Sequence, residues 1–379
     1  MDFLLRWMRE HQPDLIAWVE QLVRCESPSD APEAVNRFVE LVADSVADIA
    51  RTRTFPGGRF GRHLQCEFQL PGNNKSGRIL ALGHSDTVYP LGTLQRMPFR
   101  VARGRLWGPG VLDMKTGIAL FVFAMRALRE LDVPVRRRVV LQLNSDEEVG
   151  SESSRPLTER EARRSDAVLV LEPATGLEGK LKTARKGVGS YTIVVRGRAA
   201  HAGVDFEKGA NAIVELARQL DRVAGFTNPR RGVTVSPGRI AGGTRVNVIP
   251  EEARAEVDVR VLRLRDAAAL ERRFAALKPV DARCSLRVTG GLNRPPMERT
   301  AAVVRLFRTA QNLGRELGLE LEESTSGGGS DGNFTAALGV PTLDGLGAVG
   351  EGAHSAAESV LLSCLAPRAA LLAKLVAWL

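Results

Sequence analysis

The stretch Leu80-Ala81-Leu82-Gly83-His84-Ser85-Asp86 constrains this chain more than any other. An apolar run of strand length stops at a glycine, and an imidazole and a carboxylate follow at once. Such a run reads as a buried strand. In open α/β sheets, chemistry is placed at the carboxyl ends of strands. His84 therefore stands where a metal ligand is expected. Asp86 is near enough to hold the second ring nitrogen and fix its tautomer. The pattern recurs: Val139–Leu143 runs into Asn144-Ser145-Asp146-Glu147-Glu148, and Ala167–Leu171 runs into Glu172-Pro173.

Between these strands lie helical stretches, at about 34–50, Lys115–Leu131 and Ser153–Arg164. Strands alternating with helices predict an α/β sheet with helices on both faces. Met1–Val23 carries apolar residues at helical spacing and predicts a surface helix packed on the body. Near Lys182 the texture changes. Gly187–Arg196 alternates like a half-exposed strand, and the order from there to Thr289 is strand, helix, strand, strand, helix, strand. That order suggests a ferredoxin-like antiparallel sheet. After Pro295-Pro296 the α/β texture resumes. With 379 residues, two domains are expected. The larger would take 1–183 and 298–379, and the smaller, inserted one 184–297.

Several functional classes are excluded. The longest apolar run, Ile118–Met125, is far short of the ~20 residues that span a bilayer. Charged residues interrupt Met1–Val23, so it is no signal peptide, and a cytoplasmic location is expected. The cysteines at 25, 66, 284 and 364 lie far apart without a CxxC, which excludes a zinc ribbon or a disulfide framework. The net charge of +9 comes from scattered arginines, with no basic stripe interleaved with aromatics. A nucleic-acid partner is not expected. A basic surface attracting small carboxylate substrates fits better.

The donors at strand ends and in loops are His84, Asp113, Glu147-Glu148, Glu172 and His354. A mixed imidazole and carboxylate set suits Zn²⁺, or less well Mn²⁺ or Co²⁺, and not Mg²⁺ or Ca²⁺. Five ligands are too many for one tetrahedral ion, but with one bridging carboxylate they serve two. Adjacent glutamates point in different directions, so one can hold metal while the other acts as general base.

His84-Ser85-Asp86-Thr87-Val88, Asp113-Met114-Lys115, Asp146-Glu147-Glu148, Glu172-Pro173, Asn247-Val248-Ile249-Pro250, Gly327–Asp331 and Ala353-His354-Ser355 occur in that order. In this the chain resembles the dinuclear-zinc metallopeptidase family of aminoacylase, acetylornithine deacetylase, succinyl-diaminopimelate desuccinylase and glutamate carboxypeptidase. It departs from the family at Thr116-Gly117, where Gly-Gly is common. The resemblance implies that Asp113 bridges two metals, with His84 and Glu172 on one and Glu148 and His354 on the other. Glu147 would be the general base and acid, with Asp86 supporting His84. His201 would polarise the scissile carbonyl, usually in a partner subunit's site, so that a homodimer through the smaller domain is expected. Asn247, Arg260, Gly328 and Gly329 would help bind substrate. Lys180 and Arg294 would grip a departing glutamate. The implied activity is amide hydrolysis that releases a C-terminal glutamate from a peptide or folate-like conjugate; deacylation of an N-acyl amino acid is the alternative.

Overall fold

The computed structural model describes residues 2–379, which cluster into two compact units. The larger comprises the chain up to Ala184 together with Arg299–Ser326 and Ser330–Leu379; the smaller comprises Arg185–Glu298 and the turn Gly327–Gly329.

The larger unit is built on a six-stranded mixed sheet. Its order is Ala50–Pro56, Arg62–Phe68, Arg138–Asn144, Arg78–His84, Ala167–Val170 and Thr342–Leu343. The first two pairings are antiparallel and the remaining three parallel. Arg78–His84 is buried on both faces after its first residue. Ile79 and Ala81 join the main core, where the helices Phe3–Glu10, Gln12–Arg24, Thr116–Glu130, Ala301–Glu316 and Leu365–Trp378 also pack. Leu80 and Leu82 face the other way, onto a smaller cluster with Val140, Val168, Val170 and Ala162. A strand covered on both sides needs the continuous apolar run that its sequence has. No helix among the described residues is long and apolar enough to cross a membrane.

Two expectations are corrected. The N-terminal stretch is two helices, because Pro13 cannot continue the first and instead opens the second at Gln12–Arg24. The second expected helix is Pro32–Ser45 and ends earlier, and Ala50–Pro56 is an edge strand. Its Arg-Thr-Arg-Thr sequence has no apolar face, so the alternation carries no burial signal.

The smaller unit is the expected ferredoxin-like fold. Its strands lie in the order Thr234–Gly242, Glu252–Val261, Gly187–Arg196 and Ser285–Arg294, all antiparallel. Tyr191, Ile193 and Val195 face a core completed by the helices Ala212–Ala224 and Leu264–Ala275. Tyr191 stacks on Phe274 with ring centroids 3.8 Å apart. A strand reading over Asn247–Val261 is shortened: the strand begins at Glu252, and Asn247-Val248-Ile249-Pro250 leads into it.

Candidate active site

His84 ends the strand Arg78–His84. The turn carrying Glu147 and Glu148 follows Arg138–Asn144, and Glu172 follows Ala167–Val170. These three strands are neighbours and parallel, so their carboxyl ends bring the donors to one edge. Asp113 enters from the loop before Thr116–Glu130. His354 enters from the turn after Gly350–Glu351, at φ 61°, a left-handed conformation in which histidine is enriched among non-glycines.

Two three-donor groups result, His84–Asp113–Glu172 and Asp113–Glu148–His354, in each of which one ligand atom per residue lies within 4.8 Å of the others. Asp113 belongs to both. Its Oδ1 is 3.2 Å from His84 Nε2, and its Oδ2 is 3.3 Å from His354 Nε2. Glu172 Oε1 lies 3.6 Å from His84 Nε2, and Glu148 Oε1 lies 3.3 Å from His354 Nε2. Ligands on a tetrahedral ion with bonds of about 2.0–2.1 Å are separated by about 3.3 Å, so these spacings fit one ion per group. Glu148 Oε1 is buried with no hydrogen-bond donor aligned on it, a state that a cation relieves.

The electrostatics point the same way. Burial works against a charged His84, yet Asp113, Asp86 and Glu172 outweigh it and raise the imidazole well above its ordinary range. Asp113 and Glu148 raise His354 to about 10. Burial raises the Glu148 carboxyl. Protons are held on the rings by a cluster of carboxylates that demands positive charge.

Asp86 acts differently from expectation. His84 Nδ1 is 2.9 Å from the Asp86 main-chain carbonyl, whereas the nearer carboxylate oxygen is 3.5 Å away. The carbonyl thus takes the Nδ1 proton, so that in the neutral ring Nε2 is the lone-pair nitrogen facing Asp113. The Asp86 carboxylate instead accepts from the Glu147 and Glu148 amides at 3.2 Å each, and from Ser29 Oγ at 2.7 Å. One residue therefore sets both the ring of His84 and the turn of the glutamate pair.

Sequence reasoning missed Glu358. It is fully buried, and its carboxylate accepts from the amides of Gly110 (3.0 Å), Leu112 (2.7 Å) and Asp113 (2.9 Å), and from Tyr89 Oη (2.5 Å). Burial raises its carboxyl pKa against the four hydrogen bonds that favour its charged form. The main chain that delivers Asp113 is thus tied to a residue four positions beyond His354. That spacing was the only available signal.

The remaining sequence-predicted residues divide. In the smaller unit His201 is exposed; its Nδ1 accepts from the amides of Gly203 (3.2 Å) and Val204 (3.1 Å). The neutral ring therefore carries its proton on Nε2. Asn247 is exposed beside it, its carbonyl accepting from Ala202 N at 3.0 Å. Arg294 is buried at the end of Ser285–Arg294, and a Cβ on Gly329 would lie 2.8 Å from its Cδ, so the absence of a side chain there lets the arginine pass. A second buried arginine, Arg185, donates to the carbonyls of Gly328 and Gly329 at 3.2 Å each. Sequence reasoning did not single it out. Arg260 lies against Asp258 at 2.9 Å, and in the larger unit Lys180 pairs with Glu322 at 2.7 Å.

A model of Peptidase family M20/M25/M40 matches residues 80–378. Carboxypeptidase G2 of Pseudomonas sp. (strain RS-16) is 31% identical over 97% of this chain and 89% of its own. A succinyl-diaminopimelate desuccinylase of Cereibacter sphaeroides is 30% identical over 93% of this chain and 96% of its own. Among solved structures, the aminopeptidase PepT of Bacillus cereus superposes with a TM-score of 0.82 at 22% identity, covering 97% of this chain and 98% of that one.

Proposed function

Since the chain belongs to peptidase family M20/M25/M40 and is a hydrolase of that family, we propose that it is a two-zinc exopeptidase that cleaves an amide bond and releases a C-terminal glutamate from a peptide or N-acyl conjugate. The observation that carries the reading is the pair of three-donor groups sharing Asp113, with Glu147 on the same turn as Glu148. His84, Asp113 and Glu172 would hold one zinc, and Asp113, Glu148 and His354 the other. Bound there, the ions would supply Lewis acidity toward the amide carbonyl.

The chain's own groups do the rest. The Glu147 carboxylate takes a proton from the attacking water and delivers it to the departing amide nitrogen. Asp86 keeps the main chain of that turn fixed through both amides. His201, with its proton on Nε2, donates toward the carbonyl oxygen as negative charge develops. Arg294 grips the γ-carboxylate of the leaving glutamate with two parallel hydrogen bonds. Lys180 is occupied by Glu322, so we assign it the lesser share. Exposed Val204, Phe206, Ile240 and Val246 on the smaller unit support association of two copies through that unit.

The likeness to Carboxypeptidase G2 favours release of a C-terminal residue, and the likeness to succinyl-diaminopimelate desuccinylase favours the deacylase alternative. Hydrolysis of matched C-terminal glutamyl, alanyl and lysyl conjugates and of N-acyl amino acids separates them. Glutamyl conjugates are expected to be cleaved with the highest kcat/KM. Glu147→Gln should keep its zinc and lose at least ~10²–10⁴ in kcat. Preference for neutral or basic leaving residues refutes the glutamate assignment. Near-normal turnover by Glu147→Gln refutes the role of the base.

A further inference from the structure

The mixed sheet is covered unequally. On the face where Leu80, Leu82, Val168 and Val170 pack, the helix Arg155–Ala162 adds Ala162. That apolar cluster contains nothing from the two outer strands, Ala50–Pro56 and Arg62–Phe68. Between them and the helix lies a cavity of about 570 Å³.

Its lining follows from strand register. Alternation puts Arg51, Arg53 and Phe55 on one side of the edge strand. Glu67 and Gln65 sit opposite the two arginines on the next strand. Arg78, the first residue of its strand, adds a third guanidinium, and the segment Arg160–Arg164 adds two more. Five arginines thus face the cavity against two glutamates, Glu67 and Glu161.

The arrangement is assembled in advance. Glu161 is buried and pairs with Arg78 at 2.5 Å; Arg160 and Arg164 lie 3.6 and 3.7 Å from its other oxygen. One carboxylate draws three guanidiniums together and neutralises one. Arg53 and Arg160 lie over the Phe55 ring, 4.7 and 5.6 Å from its centroid, which orients both without consuming their hydrogen-bond donors. Neither Arg51 nor Arg53 makes an ion pair among the described residues. The surplus is three positive charges, offered as planar donor forks that match phosphoryl oxygens.

We propose that this cavity is a binding site for a small metabolite bearing two phosphoryl groups. Arg78 and His84 are the two ends of one seven-residue strand, which puts them roughly 20 Å apart at 3.3 Å per residue. The anchoring end of the cavity is therefore separate from the metal donors, and the assignment does not depend on the reaction proposed above.

Calorimetric titration of the intact protein with fructose 1,6-bisphosphate tests it, with inorganic phosphate and citrate as parallel titrants. The sugar bisphosphate is expected to bind one to one, at least tenfold more tightly than either comparator, and to weaken as salt is raised. Arg53→Ala and Arg51→Ala should each weaken it at least fivefold with an unchanged melting temperature, because neither side chain is tied into the fold by an ion pair. Binding that survives both substitutions lies elsewhere, at the metal donors for example, and overturns the proposal. So do the lack of saturable binding and citrate binding as tightly as the bisphosphate.

Discussion

Replacing Glu358 by glutamine changes one oxygen into an NH₂ group at a position where four donors converge. The carboxamide has one acceptor. Turned toward Leu112 and Asp113, it satisfies both amides and sets its NH₂ against Gly110 N and Tyr89 Oη. Turned the other way, it faces two amides that cannot move, so the first orientation is preferred. Tyr89 can redirect its hydroxyl to the Ser355 carbonyl, already 3.0 Å away, but the Gly110 amide has no such option. A buried donor left unmet costs about 1–3 kcal/mol, and the surviving bonds weaken on losing the charge. The sum is a loss of about 2–4 kcal/mol in the larger unit. Tyr89→Phe, which removes a donor and leaves the carboxylate its three amides, should cost less than about 1 kcal/mol. Because Asp113 is delivered by the same main chain, zinc affinity should fall about 10–100-fold in Glu358→Gln, the range for losing groups that orient metal ligands. Urea unfolding of the metal-free protein followed by circular dichroism, paired with calorimetric zinc titration, reads both quantities. Native zinc affinity and an unshifted midpoint in Glu358→Gln would refute the reasoning, as would a Tyr89→Phe variant that is equally damaged.

Asp113→Ala should lower zinc stoichiometry from two to one or none, because the removed carboxylate belongs to both donor groups; two equivalents by elemental analysis would contradict the shared role. Lys115 is buried, donates to the Cys25 carbonyl at 2.8 Å, and is pushed down by burial to about 8 from an ordinary 10.5. Below pH 8 both folded and unfolded chains hold its proton and the burial penalty is full. Between 8 and 10.5 only the unfolded chain holds it, so this group's contribution to stability rises with pH, by on the order of 3 kcal/mol. The unfolding free energy of the native protein minus that of Lys115→Met should increase from pH 8 to pH 10, and a flat difference would show that the lysine is not protonated as described.

What the sequence discloses depends on whether a residue's partner is written nearby in the chain. His84 and Glu172 are legible because an apolar strand and its polar terminus are contiguous. The ferredoxin-like unit is legible because one face of each strand alternates against helices. Ala50–Pro56 escapes notice, since an edge strand with arginine on one side and threonine on the other has no buried face to reveal it. Glu358 and Arg185 escape for another reason: both bind main-chain groups, amides for the one and carbonyls for the other, which every residue carries. Asp86 falls between, correctly found beside His84 but reaching the ring with its carbonyl and not its carboxylate.

The division of the larger unit between two distant stretches of chain bears on how the protein acquires its structure in time. His84, Asp113 and Glu172 all precede the inserted unit, so the first donor group can gather as soon as the early strands pair. The second group lacks His354 until the ferredoxin-like segment and a further fifty or so residues have been made. The helix Leu365–Trp378 comes later still, yet it packs against the opening helix, where Lys374 meets Asp2 at 2.7 Å. Contacts of such sequence separation carry a large loop-closure cost and form slowly. The part of the opening helix that the last helix covers must therefore wait while nearly the whole chain is synthesised, although Thr116–Glu130 is there earlier to receive the rest of both N-terminal helices; the last helix acts as the clasp that ends this exposure.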